Sequence, residues 1–225
     1  MAENTEKQTA SAKLNSLIET KKKGFIIGLV ILLCAIVVYI VCSVALNKSK
    51  INNLTTLDDI AYTLTEGSAS LEESELTARR IDALEKLEAL TSKGGVVGAR
   101  ANMLKAEILY QQKNYSEAAD AWKVTAEKSA KNYIEPIAFY NLAVCSEELG
   151  NKDAAIENYK KAAENKDFIL NTHAAFSYGR ALEEAEKYAE AFTAYSELYD
   201  KNPDDSWAKL AKTRMIYLQV EGKAE

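Results

Sequence analysis

At 225 residues and a net charge of −5, the chain has room for one modest domain and an anchor, and it lacks the basic balance of a nucleic-acid binder. Two prolines and an abundance of Ala, Leu, Glu and Lys favour helix throughout, because these side chains lose little rotamer freedom there; the expected class is all-α. Of three cysteines, Cys34 and Cys42 share one apolar run and only Cys145 lies elsewhere, so an intramolecular disulfide is excluded for the remainder and helix packing must stabilise it.

Residues 1–23 read as a short tail, with Leu14, Leu17 and Ile18 forming one apolar helical stripe. From Phe25 to Leu46 there are 22 residues without a charge. At about 1.5 Å per residue this run reaches roughly 33 Å, close to the ~30 Å hydrocarbon core of a bilayer, so residues 24–46 are expected to form a transmembrane helix. A cleaved signal peptide is the alternative, and Ser43-Val44-Ala45 fits a small-x-small cleavage pattern. The run is nevertheless well beyond the ~7–15 residues of a signal core. Neither Cys34 nor Cys42 follows a small residue, which opposes lipoprotein processing. Lys21, Lys22 and Lys23 outweigh Lys48 and Lys50, which favours a cytoplasmic N-terminus with residues 47–225 across the membrane.

Residues 47–98 read as a membrane-proximal helical pair. A short helix is expected around Leu57–Leu64. A second is opened by the capping-box pattern Ser70-Leu71-Glu72-Glu73, carries Leu76, Ala83, Leu84, Leu87 and Leu90 at helical spacing, and is stopped by Gly94-Gly95. Beyond it three segments align, 99–132, 136–169 and 172–205, beginning 37 and 36 residues apart. Small residues recur where paired helices would cross: Ala106, Ala143 and Gly179. A Tyr-x-x-Ala pattern follows at Tyr115–Ala118 and Tyr188–Ala191, while the middle segment keeps Ala155 with Lys152 in place of the tyrosine. Four residues beyond each alanine stands a large aromatic: Trp122, Tyr159 and Tyr195. Pro203 marks the end of the third segment. Residues 206–225 then read as a capping helix and tail, with Ser206 as N-cap and Trp207, Leu210 and Ala211 covering the last exposed core.

This pattern resembles the tetratricopeptide repeat (TPR) family, whose period is ~34 residues. The resemblance implies an α-solenoid of helical hairpins in which the first helix of each hairpin lines a protein-binding groove. Carried onto this chain, the groove positions are Arg100, Met103, Glu107 and Tyr110; then Ile137, Tyr140, Val144 and Glu147; then His173, Phe176, Arg180 and Glu183. Met103, Tyr140 and Phe176 occupy equivalent places and would form an apolar stripe, although the same residues would also serve if they packed against neighbouring helices. The Lys and Asn with which some TPRs grip a C-terminal carboxylate are missing here, replaced by Tyr140 and Val144 or Phe176 and Arg180.

Nothing points to an enzyme. His173 is the sole histidine, Cys-x-x-Cys is missing, and no cofactor or small-molecule substrate is expected. The glycine-rich stretch from Ser92 to Gly98 lacks the Gly-Lys-Ser/Thr ending of a phosphate-binding loop. The acidic pairs Glu147-Glu148 and Glu183-Glu184 read as solvated charge. The layout resembles the YfgM-type ancillary subunit of the Sec translocon, which implies an adaptor in the bacterial inner membrane with a periplasmic repeat domain. Its partners would be the translocon, envelope-assembly proteins or nascent exported proteins. An N-anchored import receptor of an organelle, facing the cytosol, is the alternative.

Overall fold

The computed structural model describes the backbone of residues 2–224 and the side chains of residues 12, 14–16 and 18–224. Two compact units divide between Asn52 and Asn53. The described residues hold nine α-helices and one short 3-10 turn, Ser68–Ser70, and no strand.

Helix α1 runs from Ala2 to Thr65 without a break. Within the first unit, every residue from Gly24 to Leu46 is exposed, including Phe25, Leu32 and Tyr39. This stretch belongs to the one helix among the described residues long and apolar enough to cross a bilayer. Leu14 and Ile18 are exposed, while the Leu17 side chain lies outside those described. The segment expected as a separate helix at 57–64 is instead the last part of α1. Neither proline nor glycine interrupts the chain between Ala45 and Thr65, so nothing breaks the hydrogen-bond ladder there.

In the second unit Leu57 and Ile60 pack with Ala83 and Leu87 of α2 (Glu73–Thr91) and Val97 and Ala101 of α3 (Gly95–Gln111) into one core. Two local readings fail here. The Ser70 hydroxyl bonds back to the Gly67 carbonyl rather than capping α2, whose N-cap is Glu72 without a side-chain cap. Gly94 and Gly95 do not end α2; they open α3, with Gly95 in the left-handed region at φ 59°. Its freedom is used there to turn the chain between helices. The end of α2 is satisfied differently. The buried Asn102 amide on α3 donates to the Thr91 carbonyl at 2.9 Å and to Gly98 at 2.8 Å.

Helices α4 (Tyr115–Lys128), α5 (Ile134–Glu148), α6 (Lys152–Glu164), α7 (Asn171–Glu184), α8 (Tyr188–Lys201) and α9 (Ser206–Val220) continue as a solenoid in which each helix packs on its neighbours in sequence. Three hairpins result: α3–α4, α5–α6 and α7–α8. Within each, the tight turn places one residue at positive φ: Lys113, Gly150 and Glu186. The same two bonds close each turn, from the N–H groups of Lys113 and Asn114 to Tyr110 and Leu109, of Gly150 and Asn151 to Glu147 and Ser146, and of Glu186 and Lys187 to Glu183 and Leu182. This is the Schellman closure, which satisfies carbonyls the helix leaves open. Helix α9 ends in the same way at Gly222.

Small residues permit the close crossings. Ala106, Ala143 and Gly179 are buried, and a Cβ added to Gly179 would lie 2.5 Å from the Tyr195 ring. Trp122, Tyr159 and Tyr195 are almost fully buried in successive hairpins. The capping of α9 departs from expectation: Asp205, not Ser206, is the N-cap, accepting from the N–H groups of Trp207 and Ala208. Of the residues expected to cover the last core, Ala211 is buried and Trp207 packs against it half-buried, but Leu210 stays 42 % exposed, and Ala208 is buried in addition.

Candidate functional site

The first helices of the hairpins, α3, α5 and α7, together with α9, carry the side chains singled out by the repeat alignment. They fall into three neighbourhoods.

At the start, Arg100 donates to Asp58 at 2.6 Å, and Met103 packs against the core around Trp122. The Tyr110 ring lies 5.2 Å from Tyr115, and its hydroxyl reaches Glu148 at 3.4 Å. Glu107, half-buried on the same helix, has no hydrogen-bond or ionic partner among the described residues.

In the middle, Tyr140 meets the rings of Tyr159 at 5.3 Å and Phe168 at 6.5 Å, and its hydroxyl approaches a ring nitrogen of His173 at 3.3 Å. His173 stacks on Trp207 of α9 at 3.9 Å. Burial and the charge of Arg180 hold its imidazole below the ordinary value, so it is neutral at neutral pH. Phe176 is only 8 % exposed, between Tyr195 at 5.7 Å and Trp207 at 5.4 Å. The expected stripe of Met103, Tyr140 and Phe176 is therefore not uniformly open. Met103 and Tyr140 are half-buried, and Phe176 serves the packing beneath α9. Ile137 and Val144 are also half-buried, against the cores around them.

The third neighbourhood was not anticipated. Glu147 accepts from the Tyr159 hydroxyl at 2.8 Å and, through both oxygens, from Arg180 at 2.7 and 2.9 Å. One hairpin later Glu183 accepts from Tyr195 at 3.1 Å and from Arg214, again through both oxygens. Each set is a rung joining the two helices of one hairpin to the next first-type helix. The reading of Glu147 and Glu183 as solvated charge is thus corrected; their side chains are 23 % and 14 % exposed. The outer members Glu148 and Glu184 are exposed. Burial and the carboxylate alongside push the hydroxyls of Tyr159 and Tyr195 far above the ordinary tyrosine value. Burial disfavours the charge on Arg180, but the bond and charge of Glu147 outweigh it and raise its value further. In the first hairpin the equivalent residues are Tyr110, Trp122 and Val144, so acceptor, hydroxyl and cation are replaced together. A Glu twelve residues before a buried Tyr, with an Arg just over thirty residues after the Glu, was the signal available in the sequence.

These rungs are structural, and no group of three or more potential metal ligands occurs among the described residues. The face carries a row of half-buried aromatic, aliphatic and charged side chains along the first helices of the hairpins.

The tetratricopeptide repeat family matches residues 79–133 and 170–206 in one form and 137–165 in another. The first match begins within α2, inside the segment read as a degenerate pair. A TPR repeat-containing protein of Treponema pallidum (strain Nichols) is 32 % identical over 152 residues, covering 66 % of this chain and 64 % of the relative. The chain thus spans just under two thirds of that relative's length. The hairpins are tetratricopeptide repeats, and the chain carries a scaffold of the class that binds other proteins.

Proposed function

We propose that this is a membrane-anchored TPR adaptor of the bacterial envelope, with its N-terminus in the cytoplasm, its repeats in the periplasm, and other proteins gripped on the face of α3, α5 and α7. The observation that carries the reading is the pairing of an exposed, uncharged stretch from Phe25 to Leu46 with a helical repeat array. Water does not tolerate 22 contiguous uncharged, almost wholly apolar residues on an open helix, whereas a bilayer does. The lysine excess before the stretch supports the orientation. A relative from a bacterium favours the envelope over an organelle surface. Assistance to exported proteins, in the manner of a YfgM-type subunit, is the task this layout fits best. The groove positions retained for contact are Arg100, Met103, Tyr110, Tyr140, Val144, His173 and Arg180, with Phe176 as their support.

The test combines topology with contact. Protease added to spheroplasts should digest the repeats, and protease confined to the cytoplasmic side should leave them intact. A photo-crosslinking residue at Met103 or Val144 should capture a common partner in living cells, while one at Lys160 or Glu197 on the second-type helices should not. Digestion from the cytoplasmic side would overturn the orientation; equal capture from both faces would overturn the groove.

A further inference from the structure

We propose that the cavity beside Glu107 is a socket for a basic side chain, lysine or arginine, presented by a bound polypeptide. This deepens the adaptor reading and rests on it. The cavity encloses about 360 Å³, and its walls include Leu64, Leu76, Leu104 and Ile108 as well as Arg80 and Glu107. Its size falls within the about 300–1,000 Å³ range of sites that hold small groups.

Three observations select the occupant. First, Glu107 has no cation or hydrogen-bond donor among the described residues, although the cavity wall also carries Arg80. Arg80 is already engaged by Glu73 at 2.7 Å. Second, the half-buried carboxylates of the rungs are compensated: Glu147 receives one nitrogen of the Arg180 guanidinium at both its oxygens, and Glu183 receives two nitrogens of Arg214. Glu107 stands at the position equivalent to Val144 and Arg180, where a rung places its cation and not its carboxylate, and no cation reaches it. Third, burial lifts its carboxyl above the ordinary value, so the folded chain holds a partly desolvated anion at a cost. An entering ammonium or guanidinium relieves that cost, and its methylene stem covers Leu76, Leu104 and Ile108. A neutral apolar side chain would bury the carboxylate further without compensation, and an acidic one would be repelled.

The experiment uses the full chain in lipid nanodiscs with labelled methyl groups. It is titrated with three blocked pentapeptides: Ala-Ala-Lys-Ala-Ala and the same peptide with norleucine or glutamate at the centre. The lysine peptide should shift the methyl signals of Leu76, Leu104 and Ile108 saturably. The norleucine peptide should bind at least about tenfold more weakly, and the glutamate peptide should leave them unmoved. Glu107→Gln, which keeps the shape, should lose the preference for lysine; Glu107→Asp, with the carboxylate withdrawn by one methylene, should weaken it. Equal binding of the lysine and norleucine peptides, silence toward lysine at millimolar concentration, or an undiminished lysine preference in Glu107→Gln would each overturn the socket. Failure here with crosslinks still forming at Met103 and Val144 would refute the socket alone; loss of those crosslinks would refute the adaptor reading beneath it.

Discussion

Single residues decide how the hairpins are joined. In the Tyr159–Glu147–Arg180 rung, removing the carboxylate strands a buried hydroxyl and a half-buried guanidinium together. Glu147→Gln should therefore cost about 2–3 kcal/mol in denaturant unfolding, since bonds to charged groups are the strong ones. Replacing the whole rung by its first-hairpin equivalents, Glu147→Tyr with Tyr159→Trp and Arg180→Val, should cost less than the sum of the three single changes. Contacting residues of this kind couple by about 0.5–3 kcal/mol. Strict additivity would mean the rung is not a unit. Cys145 makes a second case at this scale. It is fully buried, and burial with the charge of Glu148 pushes its thiol up to about 11. A buried thiol held in its neutral form is a poor nucleophile, so alkylation of Cys145 should be slow until the array unfolds. Rapid labelling under native conditions would contradict the packing around it.

At the scale of elements, the turns show where the sequence and the backbone disagree. Lys113 and Glu186 occupy left-handed positions that Gly150 fills in the middle hairpin. A side chain there is strained by about 1–2 kcal/mol, partly offset because glycine gains more freedom on unfolding. Lys113→Gly or Glu186→Gly should thus stabilise by about 0.5–1 kcal/mol, and Gly150→Lys should destabilise by a similar amount, each read from the urea midpoint. Helix periodicity, the small crossing residues and the aromatic after each alanine were enough to place the hairpins, because those features are repeated and local. Caps were misread for a physical reason. Beside Ser206 stands Asp205, whose carboxylate takes the free N–H groups of α9, while α2 starts at Glu72 with no side-chain cap, and only the folded chain reveals which oxygen, if any, faces those groups. The sequence places Trp207 over the last core, but it does not show that Phe176, which has the character of a contact residue, is part of what Trp207 covers.

For the whole molecule, the anchor proposed for Phe25 to Leu46 is open to a direct test. A chain exposing Phe25 to Leu46 should remain in the membrane pellet through alkaline carbonate and enter solution only with detergent, and a variant lacking residues 24–46 should be freely extracted. Release of the intact chain by carbonate would argue for peripheral attachment or a processed leader. The repeat array has its own logic at this scale, since each hairpin touches chiefly its neighbours and stability accumulates along it.

The rungs also bear on how such an array is able to lengthen by gene duplication. Because the third hairpin brings Arg180 to the preceding rung and offers Glu183 with Tyr195 to the following one, a tandem copy of it would find a guanidinium waiting for its carboxylate. A tandem copy of the second hairpin would set Val144 opposite Glu147 and Tyr159, burying an anion with no counterion. Duplication of one hairpin therefore keeps the chemistry of the junction satisfied, and duplication of the other leaves a carboxylate without its cation.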